Sequence, residues 1–237
     1  MTKKILMIAA NPATSPVTGW SIGFWWAELS HAWLEFTSAG YDVTIASLEG
    51  GDLIADGYSD PEDESGYSAH DIVSLGFKHG ATTRDLIKNT PALADVDVGA
   101  FDALFVVGGQ SPMVTMVDDE VLQKTIAAHY EAGKITAAVC HGTSVLLKTR
   151  LSDGSLLVEG KTWTGFADAE EQYAESAVGQ KIQPFWIETE AKKIANTNFV
   201  TGGVLAQFAV RDGNLITGQQ QVSSGAAARK VIEALGA

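Results

Sequence analysis

Short, nearly continuous apolar runs alternate with longer helical patterns along this chain, and that alternation restricts the fold more than any other feature. Lys4–Ala9, Asp42–Ser47, Ala103–Val107 and Ile135–Val139 read as strands. Trp25–Ala39 and Asp119–Ala132 read as helices, stopped by Gly40 and Gly133. Strands that are apolar on both faces, separated by helices, indicate an α/β fold with a mostly parallel sheet covered on both sides. Residues 52–97 break the rhythm. Asp52–Gly66 is acidic, carries Gly57, Pro61 and Gly66, and reads as an exposed loop. Ser68–Asp97 reads as helical pieces interrupted by Gly80 and Pro91. The expected organisation is one domain over 1–237 with an insertion or cap at 52–97. Further on, the pattern predicts a strand near Lys161–Thr164 and a helix around Thr189–Ala195. A hairpin, Gln207–Arg211 and Asn214–Thr217 about Asp212-Gly213, comes next. Ser223 or Ser224 is expected to cap a last amphipathic helix.

Composition narrows the function classes. The 237 residues are 46% apolar, enough for a sizeable core. A net charge of −13 repels nucleic acid and anionic lipid, so neither is expected as a partner. One cysteine permits no intrachain disulfide and no four-cysteine zinc site, and it suits a reducing, cytoplasmic setting. Lys3 and Lys4 precede an apolar run that Asn11 and Pro12 end too early for a signal-peptide core. No stretch is apolar for long enough to cross a bilayer.

Reactive chemistry concentrates in Ala137-Ala138-Val139-Cys140-His141-Gly142-Thr143-Ser144. A strand ends, one residue sits at the tip, and a helix begins. Small residues two positions away on either side, Ala138 and Gly142, give the spacing of a nucleophile elbow. Such a tip stands at the carboxyl edge of the sheet, where open α/β sheets bind ligands. The N–H groups and the positive end of the helix are expected to favour the Cys140 thiolate and to hold an oxyanion. An inert buried thiol is the competing reading. Of the five histidines, none lies beyond the elbow, so His141 is the economical partner for Cys140. Glu28 lies among Trp25, Trp26 and Leu29. Burial would raise its pKa into the range of a general acid or base, whereas residue statistics favour a surface glutamate. Gly108-Gly109 allow close backbone approach to a ligand, with Gly109 N–H a candidate oxyanion donor. The aromatic cluster Trp20, Phe24, Trp25, Trp26 and Trp33 suits core, pocket wall or interface.

These segments, in this order, resemble the ThiJ/PfpI superfamily and within it the heat-shock-type glyoxalases that act without glutathione. The resemblance rests on Gly23–Gly40 with Glu28, Phe101–Gly109, Glu131–Leu147 with Cys140-His141-Gly142, Gly160–Glu171, and Asp212–Gly218. It implies a flavodoxin-like sheet sandwiched by helices, with Cys140 as nucleophile, His141 beside it and Glu28 next to the thiol. An acid after Thr164-Gly165-Phe166 completes the set, with Glu171 the first choice and Asp168 the second. Gly109 and the His141 N–H would form the oxyanion hole, with Gly108, Gln110 and Trp25 around the substrate. The implied reaction turns a small carbonyl substrate such as methylglyoxal into a 2-hydroxy acid, with no metal and no organic cofactor. A homodimer and a role in stress response are further implications. Two departures bear on substrate choice: relatives carry Gly-His-Gly where this chain has Gly109-Gln110-Ser111, and proline where it has Thr143. The alternatives are a cysteine amidase or peptidase using Cys140, His141 and Glu171, a holdase chaperone, and a redox sensor.

Overall fold

The structure is a computed structural model and describes residues 2–236. Six strands form the main sheet: β1 (Lys4–Ala9), β2 (Asp42–Ser47), β3 (Ala103–Val106), β4 (Ile135–Val139), β5 (Ala209–Asp212) and β6 (Leu215–Gly218). Their order is β2-β1-β3-β4-β6-β5, and every pairing is parallel except β5 with β6. Ile5–Ala9, all of β3 and all of β4 are buried, which is why these strands read as unbroken apolar runs.

The main helices are α1 (Trp26–Ser38), α2 (Ile72–His79), α3 (Glu120–Glu131), α4 (Asp168–Val178) and α5 (Ser224–Ala234). The crossover from β1 to β2 runs one way along the sheet, and that from β3 to β4 runs the other way. Right-handed crossovers therefore put α1 and α3 on opposite faces. α1 packs against α5 and α2. The strand order reverses between β1 and β3, so a crevice opens at their carboxyl ends. Ile8, Val106 and Ala138 are in register, and Val139 pairs with Gly218. The loops after β1, β3 and β4 thus meet at one edge.

Residues 52–97 join β2 to β3 and contain one helix longer than a single turn, α2. Asp71 caps it, accepting from the N–H groups of Val73 and Ser74. Phe77 stacks edge-on against Trp33 and lies tilted against Trp26, and the Ser30 and Ser74 hydroxyls bond at 2.8 Å. These contacts seat this connection on α1.

Several predicted elements shift. The strand near Lys161–Thr164 reduces to Thr162–Trp163, paired with Asn198–Phe199 outside the main sheet. The helix expected at Thr189–Ala195 runs over Ile187–Ala191. The hairpin turns on Gly213-Asn214, and the Asn214 side-chain amide donates to the carbonyls of Tyr130 and Lys134. Neither Ser223 nor Ser224 caps α5 through its side chain. The Ser223 hydroxyl accepts from Phe208 N–H, and the Ser224 hydroxyl donates to the Glu28 carbonyl. No helix among the described residues is long and apolar enough to cross a membrane.

Candidate active site

β4 ends at Val139, and the chain turns directly into the 3-10 helical segment Cys140–Leu147. The turn holds Cys140 at φ +54°, in the left-handed region that costs a side-chain-bearing residue on the order of 1–2 kcal/mol. Close packing surrounds it. A Cβ at Gly142 would lie 2.8 Å from the Val107 carbonyl oxygen. A Cβ at Gly108 would lie 2.9 Å from Cys140 Cβ and would collide with Glu28 Oε2. Gly108→Ala must therefore displace Glu28 or Cys140. Urea unfolding should register a loss of about 1–3 kcal/mol, the usual cost of overpacking.

Glu28 lies in the first turn of α1, on the buried i, i+4 stripe that continues through Ala32 and Phe36. It is fully buried. Oε2 accepts from the Gly108 N–H at 2.8 Å, while Oε1 has no hydrogen-bond partner among the described residues. Burial lifts its pKa to about 8; the neighbouring Cys140 thiol and the Gly108 N–H oppose the rise, and the Asp56 charge adds to it. Glu28 is thus not the surface glutamate that residue statistics favour.

The thiol departs from expectation. Burial, followed by the negative charge of Glu28, pushes Cys140 well above its ordinary value, against the lowering from the His141 N–H. The expected thiolate rests on the N–H groups and the positive end of a helix start, which burial outweighs here. Cys140 is 2% exposed and shares its enclosure with a carboxyl group.

His141 Nδ1 is 3.6 Å from Cys140 Sγ, and its Nε2 is 3.0 Å from Glu171 Oε1. Phe166 stacks on the imidazole, with ring centres 4.3 Å apart. Glu171 and Asp168 both sit in the first turn of α4, but only Glu171 reaches the imidazole. The Asp168 carboxylate is taken up by the Thr189 N–H and hydroxyl. Thr143 donates to the Cys140 carbonyl at 2.7 Å, so the residue standing in for proline still braces the turn.

Gly109 adopts φ +114°, and a Cβ there would lie 2.5 Å from the Gly23 carbonyl oxygen. Gln110 and Trp25 line the cavity in front of Cys140, as does Trp20; Phe24 and Trp26 belong to the core. Two buried acids were not among the expected site residues. Asp56, from the insertion, accepts from Gly23 N–H at 2.9 Å and Gln110 N–H at 2.7 Å, and burial raises its pKa to about 7. Glu170 lines the cavity and accepts from Ala167 N–H, Leu205 N–H and the Gln219 amide; burial raises its pKa. Among the described residues, no group of three or more His, Cys, Asp or Glu side chains is arranged to hold a metal ion.

Known proteins share this architecture. The probable glutathione-independent glyoxalase hsp3103 of Schizosaccharomyces pombe is 26% identical over 92% of this chain and 92% of its own length. Glyoxalase 3 of Candida albicans is 27% identical over 99% of this chain and 98% of its own. The crystal structure of glyoxalase III from Candida albicans has the same fold, with a TM-score of 0.78 at 24% identity, covering 98% of this chain and 97% of that one. The description of the DJ-1/PfpI family matches residues 23–234, from the loop before α1 to the end of α5, and the chain belongs to that family.

Proposed function

We propose that this chain is a glutathione-independent glyoxalase that converts 2-oxoaldehydes such as methylglyoxal into 2-hydroxy acids such as lactate. One observation carries the reading: a buried carboxyl with a pKa of about 8, Glu28, flanks the same glycine as the Cys140 thiol. Acyl transfer through Cys140, His141 and Glu171 has no need of it. An isomerisation that moves a proton between adjacent carbons does. The names of the relatives point to the same chemistry.

In the reactive form the pair has lost one proton. Sulfur attacks the aldehyde carbon while its proton passes to Glu28. The Gly109 and His141 N–H groups stabilise the developing alkoxide, which takes the proton and becomes a hemithioacetal. Glu28 then removes the hydrogen from the former aldehyde carbon. In the enediolate that forms, the hydroxyl proton passes to the neighbouring oxygen and Glu28 returns its proton to the neighbouring carbon, leaving a thioester on Cys140. His141, oriented by Glu171, activates water against the thioester, and the 2-hydroxy acid leaves as the thiol is restored. The net change is addition of one water to the 2-oxoaldehyde.

The test is lactate production from methylglyoxal with no glutathione present. Lactate should appear, with kcat/KM rising as pH increases through about 8, where the Glu28–Cys140 pair loses its first proton. No lactate from folded, reduced protein would discard the reading. The hydrogen-bonded line Cys140–His141–Glu171 also suits a cysteine amidase. Amide hydrolysis that survives Glu28→Gln would favour that alternative.

A further inference from the structure

The cavity in front of Cys140 is much less polar than a three-carbon substrate requires. Its volume is about 120 Å³, close to the roughly 150 Å³ of an apolar cavity that takes up benzene. Cys140, His141, Gln110 and the two glutamates of α4 form its polar end. The remainder is chiefly aromatic and aliphatic. Trp20, Tyr58, Tyr67 and Trp25 form a continuous chain of tilted and edge-to-face rings, with successive centres 6.1, 6.3 and 6.1 Å apart. Ala174, Ala177 and Val178 on α4, together with Ile182, supply aliphatic surface. Tyr58 and Tyr67 come from the insertion, and the Gln221 amide donates to the Tyr67 hydroxyl at 3.3 Å, so the wall joins the insertion to the segment before α5. No lysine or arginine lines the cavity, and Glu170 and Glu171 do.

Resting on the glyoxalase reading, we infer that the preferred substrates are uncharged 2-oxoaldehydes bearing an aromatic or comparably bulky apolar group. The aldehyde sits at Cys140 and the group lies against the Trp20–Tyr58–Tyr67–Trp25 wall. A methyl group leaves most of that wall wetted, whereas a phenyl ring covers it and stacks on its rings. A carboxylate or phosphate on the substrate meets two glutamates and no cation. The reaction is unchanged: phenylglyoxal and water give mandelate through the same thioester.

The experiment measures kcat and KM for methylglyoxal, phenylglyoxal and 4-carboxyphenylglyoxal with wild type, Tyr67→Ala and Tyr173→Ala. Wild type should favour phenylglyoxal over methylglyoxal in kcat/KM by about ten-fold or more, chiefly through KM, and should disfavour the carboxylated compound by a similar factor. Tyr67→Ala should reduce the phenylglyoxal-to-methylglyoxal ratio several-fold. If that protein does not fold, Tyr173→Ala, which alters an exposed position of α4 at the cavity, carries the same readout. Methylglyoxal turned over as well as phenylglyoxal, or a ratio that neither variant moves, overturns the inference and leaves the glyoxalase reading standing. Turnover of none of the three overturns the glyoxalase reading, and the inference with it.

Discussion

Cys140→Ala should form no measurable lactate from methylglyoxal, a fall in kcat/KM of about 10⁴-fold or more, as expected when a nucleophile is removed. The substitution isolates chemistry from folding. Alanine keeps the Cβ, so the left-handed turn at position 140 carries the same strain before and after. Only the sulfur leaves, and the bonds that hold His141 to Glu171 and Glu28 to Gly108 remain. Thermal unfolding should therefore be almost unchanged while turnover disappears. Glu28→Gln should lose about 10²–10⁴-fold, the range for a general acid–base group. The two proteins should differ in kind. The glutamine variant retains its thiol and can still trap the aldehyde as a hemithioacetal, visible as an added mass, whereas the alanine variant cannot. Lactate from Cys140→Ala at more than a tenth of the wild-type rate would remove the thiol from the mechanism.

Much of the sheet was legible because its physics is local. β1, β2, β3 and β4 lie within a residue of the predicted spans, since buried parallel strands leave unbroken apolar runs. α1 and α3 also end where expected, with Gly40 and Gly133 at positive φ just beyond them. The region from 162 to 199 was less legible. Two-residue strands such as Thr162–Trp163 and Asn198–Phe199 are too short to show a period, and tertiary contacts define them. Asp56 has the same explanation in a sharper form. Its neighbours are acidic and loop-like, which reads as solvent exposure, yet it is fully buried because the Gly23 and Gln110 N–H groups converge on it. Nothing within the stretch 52–66 carries that information. Which of Asp168 and Glu171 meets His141 likewise depends on Thr189, a residue about twenty positions away that occupies the aspartate. Glu28 is the instructive case. Its place among Trp25, Trp26 and Leu29 marks it as a candidate, residue statistics argue for the surface, and only the resemblance to known proteins tips the balance towards the site.

That burial has a thermodynamic consequence: wild-type protein should lose stability as pH rises from about 5 to about 8.5, and Glu28→Gln should lose much less. The carboxyl of Glu28 has a pKa of about 8 in the folded chain against an ordinary 4.5. Above the ordinary value the unfolded chain releases this proton, while the folded chain keeps it. Unfolding is then favoured progressively until the folded group also ionises near 8. The stabilisation is complete below about pH 4.5 and is gone above about pH 8, a swing on the order of 5 kcal/mol. Asp56, at about 7 against 3.8, acts with the same sign over its own range. Burial works to raise Asp71, but its hydrogen bonds to His31 and Ser74 together outweigh it and hold the group near 2; it acts with the opposite sign and stays ionised throughout this window. Glutamine can accept from the Gly108 N–H through its carbonyl oxygen and has no proton to lose. Urea unfolding at the two pH values should find the two proteins closer in stability in acid. Glu28→Gln should be the more stable by several kcal/mol in base, while remaining the less active. Self-repulsion from the net charge of −13 weakens both proteins alike, so the difference between them isolates position 28. Parallel stability curves would mean that Glu28 is ionised in the folded protein at neutral pH, and the general base would then be an ordinary carboxylate with no raised pKa to match it to neutral catalysis.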